Sequence, residues 1–306
     1  MRIVRTPFSY EINLDEVRRF LLQVYRQSGQ LQYLIPTKIE NQKFGPCGPD
    51  YSPSDDETIK VWRSSEGDSH IVAVSHRGSA GNYHIEIHPG CKHMERDLFQ
   101  EIEELERGTD GRERSRMYMY TVSSDSKRPQ VLKDMGYEDF GLHEYNYWVP
   151  PDSSIPENPI PDGFTIRDLS DEDDYPKFIE VIGSAYEHCR QHMTLQKMKF
   201  MAEAEFFHPD LNLVGVDPTG KFAGFCMYRL DPITNIAEME SLDTHPDFRD
   251  QEIEKALLSE GLRRLLKHKP ALICSVEVDV SDSMNQLLES AGFVRSVTMN
   301  IWGKMI

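Results

Sequence analysis

Two glutamates are the clearest candidates for chemistry in this chain of 306 residues. Glu238 and Glu240 lie two positions apart within residues 236–243, a segment whose pattern predicts a β-strand. Because side chains alternate along a strand, both carboxylates would lie on one face. A carboxylate whose pKa is raised by partial burial can take a proton from an ammonium group through water. The alternative is that both are ion-paired or solvated sheet residues without a part in chemistry.

Histidine and cysteine give weaker signals. His188 and His192 have the i, i+4 spacing that could place two imidazoles on one helix face as metal ligands. Because no third ligand accompanies them, we predict no metal site and favour a solvated or pocket-lining role. The chain also has five scattered cysteines without a C-x-x-C pair: Cys47, Cys91, Cys189, Cys226 and Cys274. This pattern predicts free thiols in a reducing compartment, with Cys226 and Cys274 buried in strands.

The elements that would position these residues follow a mixed α/β order in the second half of the chain. The order is β-α-α-β-β-β-α-β-α-β, which indicates an α+β mixed sheet. The predicted strands are 164–169, 211–216, 221–229, 236–243, 272–280 and 293–302, and the predicted helices are 170–187, 194–207, 251–268 and 283–290. The residues Asp-Pro-Thr-Gly at 217–220 predict the turn of a hairpin.

The first half repeats this order. Its predicted helices are 14–27, 97–105 and 131–135, and its predicted strands are 59–63, 70–76, 83–87, 117–122 and 137–148. Two landmarks set the register of the repeat: Pro89 and Pro246 are 157 positions apart, and Gly136 and Gly292 are 156 apart. Two landmarks at nearly the same offset indicate an internal duplication.

A proline-rich segment divides the two copies. Residues 150–163 contain too many prolines for a helix or a central strand, which predicts a linker between domains at 1–149 and 164–306. The net charge of −17 repels phosphate backbones, so we predict no nucleic-acid partner. No apolar run approaches the roughly 18 residues of a membrane span, and the first residues lack the pattern of a signal peptide. These features predict a cytoplasmic protein without a membrane partner.

Two segments of the second half resemble the GNAT acyltransferase superfamily. The first is 238–249, Glu-Met-Glu-Ser-Leu-Asp-Thr-His-Pro-Asp-Phe-Arg, followed by a helix. The second is 287–293, Leu-Leu-Glu-Ser-Ala-Gly-Phe, which is similar to the family's last helix and its glycine. The first half has the same segments at 87–92 and 132–137. The resemblance implies two tandem GNAT-like acyl-CoA acyltransferase domains, laid out as in mycothiol synthase, with a degenerate first copy and an active second one.

The resemblance also implies a site for acetyl-CoA as co-substrate. In that family the strand before the loop diverges from its neighbour and exposes backbone groups to the pantetheine arm, while the loop and the helix N-terminus face the pyrophosphate. On this chain the corresponding cofactor-binding positions are Leu242, Thr244, Arg249, Asp250, Gln251, Glu252, Ile253 and Glu254. Glu238 and Glu240 lie near the place where the family often has a glutamate.

The chain departs from the family at two points. Where the family prefers glycine in the loop, this chain has Asp250, Glu252 and Glu254. Each carboxylate within about 4–6 Å of a pyrophosphate would cost on the order of 1 kcal/mol, and acids in a first turn satisfy the helix dipole themselves. The tyrosine that many GNAT enzymes use to protonate the leaving thiolate is replaced by Leu288, and by Leu132 in the first half.

Three functions remain open from the sequence. The first is an N-acetyltransferase that moves an acetyl group from acetyl-CoA to a primary amine on a small molecule or peptide. The second is an inactive tandem GNAT-like protein that serves as a binding or assembly module, which the missing glycines and tyrosine favour. The third is acyl or aminoacyl transfer from a donor other than CoA, to which an acidic loop is less hostile.

Overall fold

The computed structural model describes residues 2–29, 33–45, 50–66, 69–78, 81–109, 116–150, 153–277 and 282–306. The chain forms two compact units. Unit 1 comprises Met1–Ile39, Ser52–Asn146 and Ser296–Ile306, and unit 2 comprises Glu40–Tyr51 and Tyr147–Arg295. Three parts of the sequence predictions lie outside the described residues: Cys47, positions 151–152 of the predicted linker, and the end of the predicted strand at 278–280.

Strands and helices alternate along the first half much as the sequence predicts. Its strands are β1 (Ile3–Thr6), β2 (Ile59–Ser64), β3 (Ile71–Arg77), β4 (Asn82–Ile87), β5 (Arg116–Val122) and β6 (Glu138–Val149). Its helices are α1 (Tyr10–Ser28), α2 (Pro36–Phe44), α3 (Glu95–Thr109) and α4 (Arg128–Asp134). A short 3₁₀ helix at Pro89–Met94 connects β4 to α3.

The second half contains the predicted hairpin and the strand that carries the two glutamates. Its strands are β7 (Thr165–Asp168), β8 (Phe207–Val216), β9 (Phe222–Leu230), β10 (Ile236–Thr244), β11 (Leu272–Glu277) and β12 (Val294–Met305). Its helices are α5 (Tyr175–Ala185), α6 (Glu187–Arg190), α7 (Leu195–Ala202), α8 (Ile253–Lys267) and α9 (Asp282–Ser290). Among the described residues, no helix is both long and apolar enough to span a bilayer.

The C-terminal strand completes the sheet of unit 1. From Ser296 onward β12 belongs to unit 1, where it pairs antiparallel with β5, from Met299↔Val122 to Met305↔Arg116. The strand order in this unit is β1-β2-β3-β4-β5-β12-β6. The compact units therefore follow the chain differently from the predicted division into 1–149 and 164–306. That division stays a prediction about separable domains.

Unit 2 has the strand order β7-β8-β9-β10-β11, in which only the β10–β11 pair is parallel. Helix α5 packs on one face of this sheet, where the rings of Phe178 and Phe225 lie 5.7 Å apart. Helix α8 packs on the other face, where the Tyr228 hydroxyl donates to the Leu258 carbonyl. A Cβ at Gly261 would lie 2.3 Å from the Tyr228 ring, so the glycine lets α8 lie close to β9. This packing fixes the start of α8 at the end of β10.

Candidate active site

The two parallel strands of unit 2 diverge and leave a cavity beside β10. The ladder between β10 and β11 comprises four residue pairs, from Ile236↔Leu272 to Met239↔Ser275. Beyond these pairs β10 continues to Thr244. A cavity of about 540 Å³ opens there, between the end of β10, the start of α8 and α9. Its lining residues are Leu242, Asp243, Thr244, Arg249, Asp250, Glu254, Lys255, Ser283, Met284, Gln286, Leu287 and Ser290.

The loop between β10 and α8 keeps a backbone shape that normally requires glycine. Asp250 and Glu252 have φ values of 67° and 57°, in the left-handed region. This conformation costs an L-residue roughly 1–2 kcal/mol because its Cβ crowds the following carbonyl oxygen. Glu252 is the residue immediately before the first turn of α8. The loop therefore has, without a glycine, the backbone geometry that glycine favours.

Carboxylates dominate the charge around this cavity. Asp243, Asp250 and Glu254 line it, against the cations Arg249 and Lys255. Burial raises the pKa of Asp243, and the nearby Glu254 raises it further against the lowering effect of Arg249. Surroundings that raise the pKa of a carboxyl group disfavour negative charge in general, so the cavity is unfavourable for an anionic ligand.

Two of the loop carboxylates have partners within the chain. The Thr244 hydroxyl donates to the Glu254 carboxylate at 2.9 Å, across the mouth of the loop. The exposed Glu252 forms an ion pair with Lys255, one turn into α8. These contacts hold the first turn of α8 against β10, and they neutralise Lys255.

The structure brings five of the eight implied cofactor-binding positions to one cavity. Leu242, Thr244, Arg249, Asp250 and Glu254 all line it. The remaining three, Gln251, Glu252 and Ile253, do not. The first two are exposed and Ile253 is fully buried.

Ile253 packs against the sheet instead of facing the cavity. A Cβ at Gly215 of β8 would lie 2.8 Å from its Cγ2. Its side chain is therefore committed to the core, and only its backbone could contact a ligand. The binding role of all eight residues stays a prediction.

Glu238 and Glu240 lie outside this cavity, on the side of β10 that faces Arg229. Glu238 is opposite Arg229 in the β9–β10 register. The register then shifts between Met239 and Ser241, which makes Glu240 the extra residue of a β-bulge. Its Oε1 lies 3.1 Å from Nη2 of the buried Arg229. Glu240 is therefore ion-paired and Glu238 is nine-tenths buried beside it, and the catalytic role of both stays a prediction.

Tyr186 is a candidate residue that the sequence analysis missed. Its half-buried hydroxyl lies 3.4 Å from the Leu242 carbonyl, and Ser241 Oγ lies 3.4 Å from the same hydroxyl. The predicted helix 170–187 would have placed this residue inside the helix. Helix α5 ends at Ala185 instead, and Tyr186 turns toward β10 with extended backbone. No sequence pattern indicates this contact.

Two predictions about histidine and cysteine need correction. His188 and His192 do not share a helix, because α6 ends at Arg190, so the i, i+4 spacing has no helical meaning. Cys91, Cys226 and Cys274 are buried free thiols, as predicted for the two strand residues. Cys189 is disulfide-bonded, so the prediction of free thiols is wrong at that position.

Unit 1 has the corresponding divergence between β4 and β5, but it fills the gap with its own side chains. The parallel ladder there comprises two residue pairs. Beyond them the buried guanidinium of Arg128 donates to the carbonyls of Ile85 and Tyr120, at 3.3 and 3.4 Å. The Tyr33 ring stacks on that guanidinium at 3.5 Å, and its hydroxyl accepts from the Val122 amide. The backbone groups that the divergence exposes are thus bonded within the unit.

An ion network locks these side chains in unit 1. Arg128 Nε donates to Glu95 at 2.7 Å, and Lys92 Nζ donates to Asp125 at 2.9 Å. Although burial opposes it, the charge of Lys92 holds the pKa of Asp125 far below its ordinary value. Lys92 and Glu95 lie where the loop and the first helical turn of unit 2 line the cavity. In unit 1 those positions bond to the chain itself.

Comparison with known proteins agrees with this geometry. The model of the GNAT acetyltransferase family matches residues 173–293, which include the whole lining of the cavity. No curated protein matches the sequence.

Solved structures show that the GNAT fold extends over the whole chain. A GCN5-related N-acetyltransferase from Sphaerobacter thermophilus aligns with a TM-score of 0.66 at 14% identity, over 99% of this chain and 95% of that one. A tandem GNAT protein from the clavulanic acid biosynthesis pathway aligns with a TM-score of 0.66 at 14% identity, over 99% and 98%. A GNAT acetyltransferase from Colwellia psychrerythraea aligns with a TM-score of 0.62 at 12% identity, over 99% of both chains. The tandem GNAT fold predicted from the repeat is confirmed.

The strain in the GNAT loop is testable by restoring glycine. We expect Glu252→Gly to be more stable than Glu252→Ala by about 1 kcal/mol, because both lose the ion pair with Lys255 and only glycine relaxes the positive φ. Urea denaturation of the two variants measures the difference. The matched pair Arg263→Gly and Arg263→Ala, at a helical position of α8, should show the opposite order. Equal stability of the two Glu252 variants would contradict a strained loop.

Proposed function

We propose that unit 2 transfers an acetyl group from acetyl-CoA to a primary amine on a small molecule or peptide. One observation carries this proposal. Strand β10 diverges from β11 around a cavity, and the loop with left-handed backbone and the start of α8 close that cavity. In the transfer, the amine nitrogen forms a bond to the acetyl carbon, the carbon–sulfur bond breaks, and the thiolate of CoA accepts a proton. The family match to residues 173–293 supports this reaction class.

The fit of acetyl-CoA to this cavity is uneven. Leu242, Met284 and Leu287 supply apolar surface, and the free edge of β10 offers backbone groups, both of which suit a pantetheine arm. Arg249 is the cation placed to meet a phosphate, while Asp250 and Glu254 repel one. We therefore expect the pantetheine arm to contribute more of the binding energy than the pyrophosphate.

Glu238 and Glu240 are the proposed general bases, and they differ in how exposed their carboxylates are. Glu240 is one-fifth exposed at the bulge, so it is the carboxylate that an incoming ammonium group reaches first. The hydroxyl of Tyr186 forms its contacts at the same bulge, and we propose that it donates a proton to the thiolate of CoA. It stands in for the tyrosine that the family has in its last helix and that Leu288 replaces here.

We assign the activity to unit 2 because side chains of unit 1 bond to the backbone groups that its own divergent strands leave unpaired. Arg128 and Tyr33 bond to the strand groups that a pantetheine arm would need. The inactive alternative, a binding or assembly module, is supported by the acids of the loop in unit 2. A cytoplasmic location stays a prediction, and the disulfide at Cys189 weakens its premise of free thiols.

Calorimetry with acetyl-CoA separates the transferase from the inactive module. We expect one molecule bound per chain, and we expect Arg249→Ala to weaken binding by roughly 10- to 150-fold, since a charge-assisted hydrogen bond contributes roughly 1.5–3 kcal/mol. Arg263→Ala, at an exposed position on the same unit, is the control. No heat and no thermal stabilisation at millimolar acetyl-CoA would favour the binding module. Two molecules bound per chain would contradict the assignment to unit 2.

The raised pKa of Asp243 predicts that acetyl-CoA binds more tightly as the pH falls. Above this pKa the carboxylate is charged and repels the anionic ligand; as the pH falls through it, the group takes a proton and the repulsion disappears. Arg249 and Glu254 are the charged groups that act on it. Isothermal titrations between neutral pH and pH 5 measure the trend, with Asp243→Asn as the reference. A wild-type slope no steeper than that of Asp243→Asn would refute the effect.

pH–rate profiles test the proposed bases. The group that accepts the proton must be ionised, so kcat/KM should fall on the acid side of the wild-type profile. We expect Glu240→Gln to lose this acid limb and at least tenfold in rate, with Glu238→Gln as the comparison. Glu203→Gln, at an exposed position in unit 2, is the control. If both Gln variants keep the wild-type profile, neither glutamate is the base.

A further inference from the structure

Arg229 is a buried cation whose hydrogen-bonding capacity is unused among the described residues. The residue is 1% exposed, and its Nε, Nη1 and Nη2 donate no hydrogen bond to the part of the chain described here. It contacts Glu240 Oε1 at 3.1 Å, without hydrogen-bond alignment, and lies over the Phe206 ring at 4.6 Å. A guanidinium has five N–H donors, and buried donors are almost always satisfied. These donors therefore require an acceptor beyond those contacts.

The position of Arg229 connects it with the proposed chemistry. It faces Glu238 across the β9–β10 ladder, and its charge contact is with the bulge residue Glu240. Side-chain alternation places it on the face of β9 that carries Phe225, which is also the face that Tyr186 contacts at 6.0 Å between rings. Arg229 thus lies on the α5 side of β9, which pairs with β10, and the far end of β10 lines the cavity. An acceptor that approaches the bulge from that side meets one guanidinium and two carboxylates.

The chemistry of this group selects among amines. A guanidinium presents a planar fork of donors that matches a carboxylate in a bidentate manner. Its Nη2 lies close to a carboxylate oxygen of Glu240, so opposite charges on the protein are adjacent. A molecule whose own ammonium and carboxylate are adjacent can satisfy both at once. A polyamine, by contrast, has no carboxylate to accept hydrogen bonds from the unused donors of Arg229.

We propose that the acceptor is an amino acid or a closely related amino-carboxylate, whose carboxylate binds Arg229 while its ammonium group faces Glu240. This inference rests on the proposed transferase activity of unit 2 and names the substrate class of that site. Arg229 is then a specificity-determining residue. It binds the group of the acceptor that does not react.

A panel of matched amines tests the inference with the wild-type protein alone. Each standard L-amino acid is compared with the amine that lacks its carboxylate, such as alanine with ethylamine and phenylalanine with phenethylamine, and spermidine is included. The release of CoA thiol at saturating acetyl-CoA gives kcat/KM. We expect at least one amino acid to exceed its decarboxylated partner tenfold or more. Equal or better use of the decarboxylated amines, or of spermidine, would overturn the inference and leave the transferase intact.

Two measurements keep the inference separate from the proposed function. If acetyl-CoA does not bind in calorimetry, the transferase proposal fails, whatever the acceptor is. If acetyl-CoA binds but no amine is turned over, thermal shift with each amino acid in the presence of free CoA decides. Stabilisation by an amino acid and not by its decarboxylated partner supports the inference, and no such difference refutes it.

Substitutions at Arg229 distinguish recognition from a structural role. Arg229→Lys keeps the charge and loses the fork, so KM for the amino acid should rise at least tenfold while KM for the decarboxylated amine changes less than twofold. Arg263→Lys is the control. A structural role would change both KM values alike. If Arg229→Met keeps the wild-type preference for carboxylates, the donors are satisfied by ordered water only and the inference is wrong.

Discussion

The backbone groups that two diverging parallel strands leave unpaired are the constraint on which both units depend. A buried N–H or C=O that loses its ladder partner must find another one. Unit 1 solves the problem internally, because the Arg128 guanidinium takes the carbonyls of Ile85 and Tyr120 and the Tyr33 hydroxyl accepts from a β5 amide. Unit 2 leaves a cavity at the same point of its fold. Unit 1 therefore fills the gap between its diverging strands, and unit 2 leaves that gap open.

The loop of unit 2 has carboxylates where its backbone geometry favours glycine. Glycine serves two purposes in such a loop: it permits positive φ, and it lets a ligand approach the backbone. Asp250 and Glu252 retain the first at the cost of strain. Glu254 replaces the second with an internal hydrogen bond to Thr244, so the loop holds its shape without a ligand.

Periodicity predicted the local elements of the site but not the contacts that complete it. The predicted strand 236–243 and the predicted helix 251–268 correspond to β10 and α8, and Gly136 and Gly292 both have the positive φ of a helix end. The pairing of β12 with β5 was not predictable, because alternation identifies the face that is buried and not the strand that pairs. The bulge at Glu240 and the approach of Tyr186 depend on tertiary packing, and neither leaves a pattern in the sequence.

The carboxylates of the site act on two different ligands. Carboxylates at the loop weaken the attraction for an anionic donor, and carboxylates at the bulge attract a cationic acceptor. Arg229 is the exception: it is placed among acids on the α5 side, where an unmatched positive charge would be costly unless the chain or a ligand balances it. Glu240 balances that charge, and Glu238 lies opposite it, but the N–H donors of the guanidinium have no hydrogen-bond partner among the described residues. The proposed acceptor would bring a carboxylate to those donors and leave Glu240 to receive the ammonium group.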